Sequence, residues 1–161
     1  MAIRPATDDD RDALWAVLEP VIRAGETYPL PRNMTREQAF AFWFSPSNEV
    51  FVWEEHGAVL ATYFLKANQQ GGGAHVANCG YVTSQQAQGR GIARAMCLHS
   101  LERAKQRGFR AIQFNFVVSS NTRAVNLWSS LGFQTVGWLP LAFAHPTLGF
   151  VDALVMFRQL P

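Results

Sequence analysis

The chain has 161 residues, enough for one domain and too few for two ordinary ones. Apolar residues make up 48% and charged residues 16%, with Lys+Arg 14 against Asp+Glu 12 for a net charge of +2. A sizeable core can therefore be buried, and both a disordered polyelectrolyte and a protein built to neutralise many nucleic-acid phosphates are excluded.

Ala2 to Pro5 reads as a first strand. Thr7 is placed to cap a helix whose first turn holds Asp8, Asp9 and Asp10, where carboxylates meet the positive end of the helix dipole. Leu14, Val17, Leu18 and Val21 recur at helical spacing and give this helix a core face, and it fades at Gly25. Thr35, with Gln38 three residues on, has the form of a capping box. A short aromatic-rich helix follows through Ala39, Phe40, Phe42 and Trp43. Glu49 to Glu55 and Ala58 to Ala67 are strands joined by a tight turn at His56-Gly57. Gln69 to Gly73 is a flexible loop, not a domain linker. His75 to Thr83 is the next strand and Gly89 to Arg107 a long helix, with Ala93, Met96, Cys97, Ser100, Leu101 and Ala104 on one face and Gly108 as its stop. Arg110 to Val118 is an apolar strand interrupted by Gln113 and Asn115. Ala124, Leu127, Trp128 and Leu131 mark another helix, ended by Gly132. Phe133 to Phe143 and Phe150 to Gln159 are the last strands, joined through His145 to Gly149.

The order is β-α-α-β-β-β-α-β-α-β-β. Early antiparallel hairpins and later helical crossovers predict an α/β (α+β) domain, residues 1–161, with a mixed sheet and helices on both faces. Two cysteines, Cys79 and Cys97, exclude a disulfide scaffold and fit a reducing compartment. His56, His75, His99 and His145 share no metal-ligand spacing, so no metal site is expected. No apolar run reaches membrane-spanning length, and MAIRPATDDDRD turns acidic where a secretory leader is apolar, which predicts a cytoplasmic protein without membrane contact.

The most informative stretch is Tyr81-Val82-Thr83-Ser84-Gln85-Gln86-Ala87-Gln88-Gly89-Arg90-Gly91-Ile92-Ala93, where a strand ends, a glycine-containing loop follows and a helix begins. The first N–H groups of a helix have no partner within it, and the dipole makes that end positive. Gly89 and Gly91 let the backbone approach a bulky anion, forming a pyrophosphate cradle, with Arg90 and Arg94 adding charge nearby. No G-K-[ST] follows, and Arg94 stands where a dinucleotide fingerprint needs its third glycine.

Gln86-x-x-Gly89-x-Gly91 resembles the acetyl-CoA signature Q/R-x-x-G-x-G/A of the GNAT acetyltransferases. The run Asn121, Ala124, Leu127, Trp128, Gly132, Phe133 is similar to that family's N-x-x-A-x-x-L-Y-x-x-x-G-F helix, and the surrounding elements match, so the likeness covers essentially the whole chain. It implies a sheet of about seven strands flanked by about four helices and splayed between strands 4 and 5. It also implies acetyl-CoA as cosubstrate: backbone groups of Val82, Thr83 and Ser84 on the pantetheine arm, amides of Gln88, Gly89, Arg90, Gly91, Ile92 and Ala93 on the pyrophosphate, and the Asn121 side chain on the cofactor. Asn121 also reads as an ordinary N-cap, and both roles are compatible. His75-Val76-Ala77-Asn78 and Asn115 in FNFVVSSN look similar to acetyltransferases that modify proline analogues, a subgroup in which the matching asparagines line the pockets.

Acetyl transfer needs a neutral amine, a polarised thioester carbonyl and a tolerated thiolate. An amide such as that of Val82 or Thr83 can polarise the carbonyl. Where the family has tyrosine this chain has Trp128, whose indole donates a hydrogen bond but releases no proton, leaving solvent or Ser129 to assist the thiolate. In place of the glutamate many relatives carry on the fourth strand stand His75 and Asn78; only the imidazole is a base, and a strand-start histidine is equally an ordinary surface residue. The acceptor pocket is expected from Glu26, which can hold an ammonium, Tyr28, Asn78 and Asn115. Glu26 and Tyr28 lie in Gly25 to Pro31, which reads equally as a proline-stiffened connector. The expected activity is transfer of acetyl to a small amine, an amino acid or analogue; the alternatives are a protein or peptide acceptor, or a catalytically silent CoA sensor. The apolar runs WLPLAF and FVDALVMF can extend across a two-fold interface, which makes a homodimer the expected assembly.

Overall fold

The computed structural model describes residues 1–161. Strand β1 (Ala2–Pro5) leads to α1 (Arg11–Ala24) and α2 (Arg36–Trp43), then to β2 (Glu49–Glu55), β3 (Ala58–Ala67) and β4 (Val76–Thr83). Helix α3 (Ile92–Gln106), β5 (Ala111–Val118), α4 (Thr122–Ser130), β6 (Gln134–His145) and β7 (Gly149–Gln159) complete the chain. The element order is the one the hydrophobic pattern predicts.

Local chemistry accounts for the best-predicted boundaries. His56 and Gly57 both have positive φ, 52° and 78°, which matches the right-handed twist of the flanking strands and closes β2 onto β3 in two residues. Thr35 accepts from the Gln38 N–H while the Gln38 amide oxygen accepts from the Thr35 N–H, the reciprocal cap expected there. The largest boundary correction falls on α3, which begins at Ile92 and not at Gly89. Gly89 and Gly91 have φ of 75° and 78°, a left-handed conformation that cannot continue a right-handed helix. Two smaller corrections concern α1. A single 3-10 turn, Asp8–Asp10, precedes it, and Ile22 is buried on its core face while Val21 is half-buried. Gln69 to Gly73 includes a short 3-10 turn at Gly71–Gly73.

The sheet has 7 strands in the order β1-β2-β3-β4-β5-β7-β6. Alternation along each strand sends side chains to opposite faces, and each face carries its own core. Leu14, Leu18, Phe40 and Trp43 from α1 and α2 pack on Val50, Val52, Phe64 and Val82. Met96, Cys97 and Leu101 from α3 and Trp128 from α4 pack on Phe51, Tyr63, Ile112 and Phe114. No helix is long and apolar enough to cross a membrane.

Strands β4 and β5 are the only parallel neighbours, and their pairing is short: Val76 opposite Ala111 and Ala77 opposite Ile112. One residue further on, the Asn78 side chain donates to the Gln113 carbonyl at 3.0 Å, filling the first gap as the strands part. Beyond it β5 pairs only with β7, and the C-terminal half of β4 only with β3. A V-shaped split opens in the middle of the sheet, where unpaired main-chain groups are available to a ligand.

Candidate active site

The split widens into a cavity of about 760 Å³, within the range of small-molecule sites. Its floor is the parted halves of β4 and β5, its mouth the loop entering α3 together with the start of α4, and its far end the segment after α1 with Phe42 and Phe64.

The register of β4 decides which main-chain groups face the split. The Val76 carbonyl accepts from the Asn68 N–H and the Ser84 N–H donates to the Leu60 carbonyl, so even-numbered residues direct their backbone toward β3. The Tyr81 carbonyl points the other way and accepts from the Tyr28 hydroxyl at 3.0 Å. Main-chain groups of Cys79, Tyr81 and Thr83 therefore open on the split. Those of Val82 and Ser84 are committed to the sheet, which corrects their expected contact with the ligand arm and removes the Val82 amide as a carbonyl donor.

At the mouth, the first main-chain bond of α3 runs from the Ala95 N–H to the Gly91 carbonyl. The N–H groups of Gly89 to Arg94 have no acceptor within the chain, whereas the Gln88 N–H donates to the Gln85 carbonyl at 3.3 Å, which corrects its expected place among the pyrophosphate donors. A side-chain carbon built on Gly89 or Gly91 meets no atom within 4 Å, so the space they border is open. Successive free donors, an open approach and the positive end of a 15-residue helix suit a pyrophosphate. The pattern Q/R-x-x-G-x-G/A also fits two residues further on, as Gln88-x-x-Gly91-x-Ala93. Gln88, Gly91 and Ala93 all line the cavity, whereas Gln86 is exposed and does not. The Arg90 side chain pairs with Glu55 and lies outside the cavity wall; only its N–H belongs to the cradle. Asn121 caps α4 by accepting the Ala124 N–H at 3.4 Å and lines the cavity, leaving its amide NH₂ free to donate.

The remaining candidates separate. Tyr28, Asn78 and Asn115 line the cavity. The Tyr28 hydroxyl is engaged with Tyr81, and burial holds its pKa above the ordinary tyrosine value. Asn115 is tied on both sides, accepting from the Gln113 amide at 2.9 Å and donating to the Asn68 side chain at 2.6 Å. Glu26 is exposed and absent from the wall, because the chain turns at Gly25 (φ 63°) and presents Thr27 to Leu30 to the cavity instead. His75 is exposed at the opposite end of β4, some eight residues or about 25 Å from Thr83 along the strand. Ser129 is exposed and also outside the wall, since it lies about 100° round α4 from the cavity-facing Trp128.

Trp128 is 8% exposed and packs against Tyr81 and Phe114, with ring centroids 5.0 and 5.1 Å away. Cys79 lines the cavity as a neutral thiol, pushed up to about 12 mainly by burial. Tyr81 bonds the Ser100 hydroxyl at 2.6 Å, and burial raises its pKa well above 10.0. No aspartate, glutamate or histidine lines the cavity. Sequence reasoning passed over Arg123, which lines the mouth from α4 and donates to the Gln88 side chain at 3.2 Å. The signal was available, a cation two residues after the asparagine that lines the cavity.

Residues 15–133 match the model of the acetyltransferase (GNAT) family, and the chain belongs to it. It is similar to a GCN5-related N-acetyltransferase from Kribbella flavida, at 42% identity over 99% of this chain and 97% of that one, with a TM-score of 0.94. It is 28% identical to the N-acetyltransferase aca1 of Schizosaccharomyces pombe, across 87% of this chain and 75% of the relative. A phosphinothricin acetyltransferase from Sinorhizobium meliloti, solved in complex with AcCoA, has a TM-score of 0.85 at 19% identity, covering 99% of this chain and 88% of that one; it shares the fold. The chain is thus an acyltransferase of this family.

Proposed function

We propose that this enzyme transfers acetyl from acetyl-CoA to the amine of a small molecule, an amino acid or close analogue, in the cytoplasm. The observation that carries the reading is the continuity of one cavity: free amides at a helix N-terminus lead directly into a split strand pair, which is closed at its far end by Tyr28, Pro29 and Leu30. Acetyl-CoA supplies an activated acyl carbon as a thioester.

The residues divide the work. Amides of Gly89 to Ala93 hold the pyrophosphate, and the Asn121 amide donates to the arm as it enters the split. The main chain of Tyr81 and Thr83 aligns the arm as a neighbouring strand would, and one of their N–H groups meets the thioester carbonyl oxygen. Tyr28, by occupying the Tyr81 carbonyl, fixes the Thr27 to Leu30 segment against the acceptor end. Asn115, held by Asn68, offers a neutral polar contact on the wall to which Phe116 and Phe64 also contribute, which suits a compact acceptor better than an extended peptide. Tyr28, Cys79 and Tyr81 all stay protonated at neutral pH and no carboxylate faces the cavity, so the amine proton passes to solvent. Trp128 walls the thiol end without donating a proton. A silent CoA sensor is the competing reading, favoured by that missing acid and base.

The test offers acetyl-CoA with a panel of free amino acids, cyclic imino acids and short peptides, following thiol release and product mass. Turnover on free amino acids or imino acids above that on peptides is expected. Preference for peptides overturns the acceptor class, and tight CoA binding without turnover on any amine supports the sensor.

A further inference from the structure

Among the arginines of this chain, Arg4, Arg11, Arg23, Arg36, Arg90, Arg103 and Arg107 are each paired with a carboxylate. The two that line the cavity are not. Arg94 donates only to the Ser130 hydroxyl at 3.2 Å, and Arg123 only to the Gln88 side-chain oxygen at 3.2 Å. Both are exposed, both have neutral partners, and the wall between them contains no acidic residue. Most other guanidinium groups found an anion within the fold; these two keep their charge at the mouth of the donor site.

They stand on different elements. Arg94 is the third residue of α3, in the same turn whose free N–H groups form the cradle, so its charge adds to the positive end of that helix. Arg123 is the second residue of α4 and reaches back to Gln88 on the opposite lip. Its charge therefore lies across the mouth from the start of α3, outside the run of free amides. The positive end of α3 already complements a pyrophosphate. A further guanidinium beyond it, held by a bond to a neutral amide that a phosphate readily replaces, suits one more phosphate.

We propose that Arg123 recognises the 3′-phosphate on the ribose of coenzyme A, and that Arg94 acts on the pyrophosphate. The chain then distinguishes CoA thioesters from those of dephospho-CoA through one residue. This rests on the reading of the cavity as a CoA site.

Calorimetric titration of CoA and of dephospho-CoA into the wild type, Arg123→Gln, Arg123→Lys and Arg94→Gln tests it. One charge-assisted hydrogen bond at an open site predicts that the wild type binds CoA about 10- to 100-fold tighter than dephospho-CoA. In Arg123→Gln that ratio falls to about twofold or less, because only CoA weakens, while Arg123→Lys retains part of it. In Arg94→Gln both ligands weaken together and the ratio stays. Both side chains are exposed, so circular dichroism of the variants should match the wild type. A wild-type ratio near one overturns the proposal and leaves the CoA site intact, as does a ratio unchanged by Arg123→Gln. Absence of heat with either compound and the wild type overturns the CoA reading itself.

Discussion

Asp10 does more than favour a helix dipole, the role its place beside Thr7 suggests. Its carboxylate is buried, accepts from the Thr7 N–H at 2.7 Å and takes two bonds from Arg4, both at 2.8 Å. The Arg4 guanidinium is the main cause that holds it down to about 2 from 3.8. A carboxylate with a depressed folded-state pKa stabilises above its unfolded value, and that contribution fades as pH falls through the folded one. At about 1.4 kcal/mol per pKa unit, Asp10→Asn should cost roughly 2 kcal/mol at pH 7, and the gap between variant and wild type should shrink to about half by pH 3. Urea unfolding at the two pH values checks this, and a pH-independent gap contradicts it. Trp128 carries the opposite kind of expectation. If the indole is a wall and not an acid, Trp128→Phe keeps kcat within about threefold with an unchanged pH profile, while losing some stability at the packing with Tyr81 and Phe114. A 100-fold fall in kcat with a new acidic limb in the pH profile would restore an acid role to this position.

At the scale of elements, Gly80 sets how closely Tyr28 and Phe64, at the far end of the cavity, pack onto β4. A side-chain carbon there would lie 2.6 Å from the Phe64 ring and 3.0 Å from the Tyr28 hydroxyl. Gly80→Ala must therefore push both away and loosen the Tyr28–Tyr81 bond. The cradle, some ten residues further along, is untouched. The acceptor KM should rise about tenfold or more while CoA affinity by calorimetry stays within about twofold; equal losses of both would mean that β4 itself has moved. The same contrast explains what could be read from the sequence. The His56-Gly57 turn, the Thr35 cap, the glycine stops and the cradle loop are each encoded within a few neighbouring residues, so pattern alone places them. Tyr28 to the Tyr81 carbonyl, Asn78 to the Gln113 carbonyl, Asn115 to Asn68 and Arg90 to Glu55 join groups 35 to 53 residues apart, and no local pattern carries such pairings. Those bonds decide which candidates face the cavity. Hence the glycine loop at the mouth of the cavity was legible and the side chains that face its far end were not.

At the scale of the whole molecule, β6 is an edge strand of 12 residues, and its outer rim is unpaired. It is also unusually apolar: Trp138 is 62% exposed, Leu141 64%, and Phe150 on the adjoining strand 70%. Soluble chains blunt such edges with charge or proline, or cover them. Here Pro140 interrupts the strand, and the Leu141 N–H, at a positive φ of 48°, is held by the Asp152 carboxylate at 2.9 Å, so the bulge is built into the fold. The apolar rim flanking it calls for a cover, and a net charge of only +2 presents little barrier to a second copy across a two-fold axis. Sedimentation at about 50 µM should give twice the mass of the chain. Leu141→Glu and Trp138→Glu should each yield monomers that keep the wild-type circular dichroism and bind CoA with the wild-type affinity, because neither residue lines the cavity. A wild type that sediments as a monomer at that concentration would leave the β6 rim without its expected partner. Monomeric variants that also lost CoA binding would mean instead that pairing at this edge holds the neighbouring β5 side of the split in place.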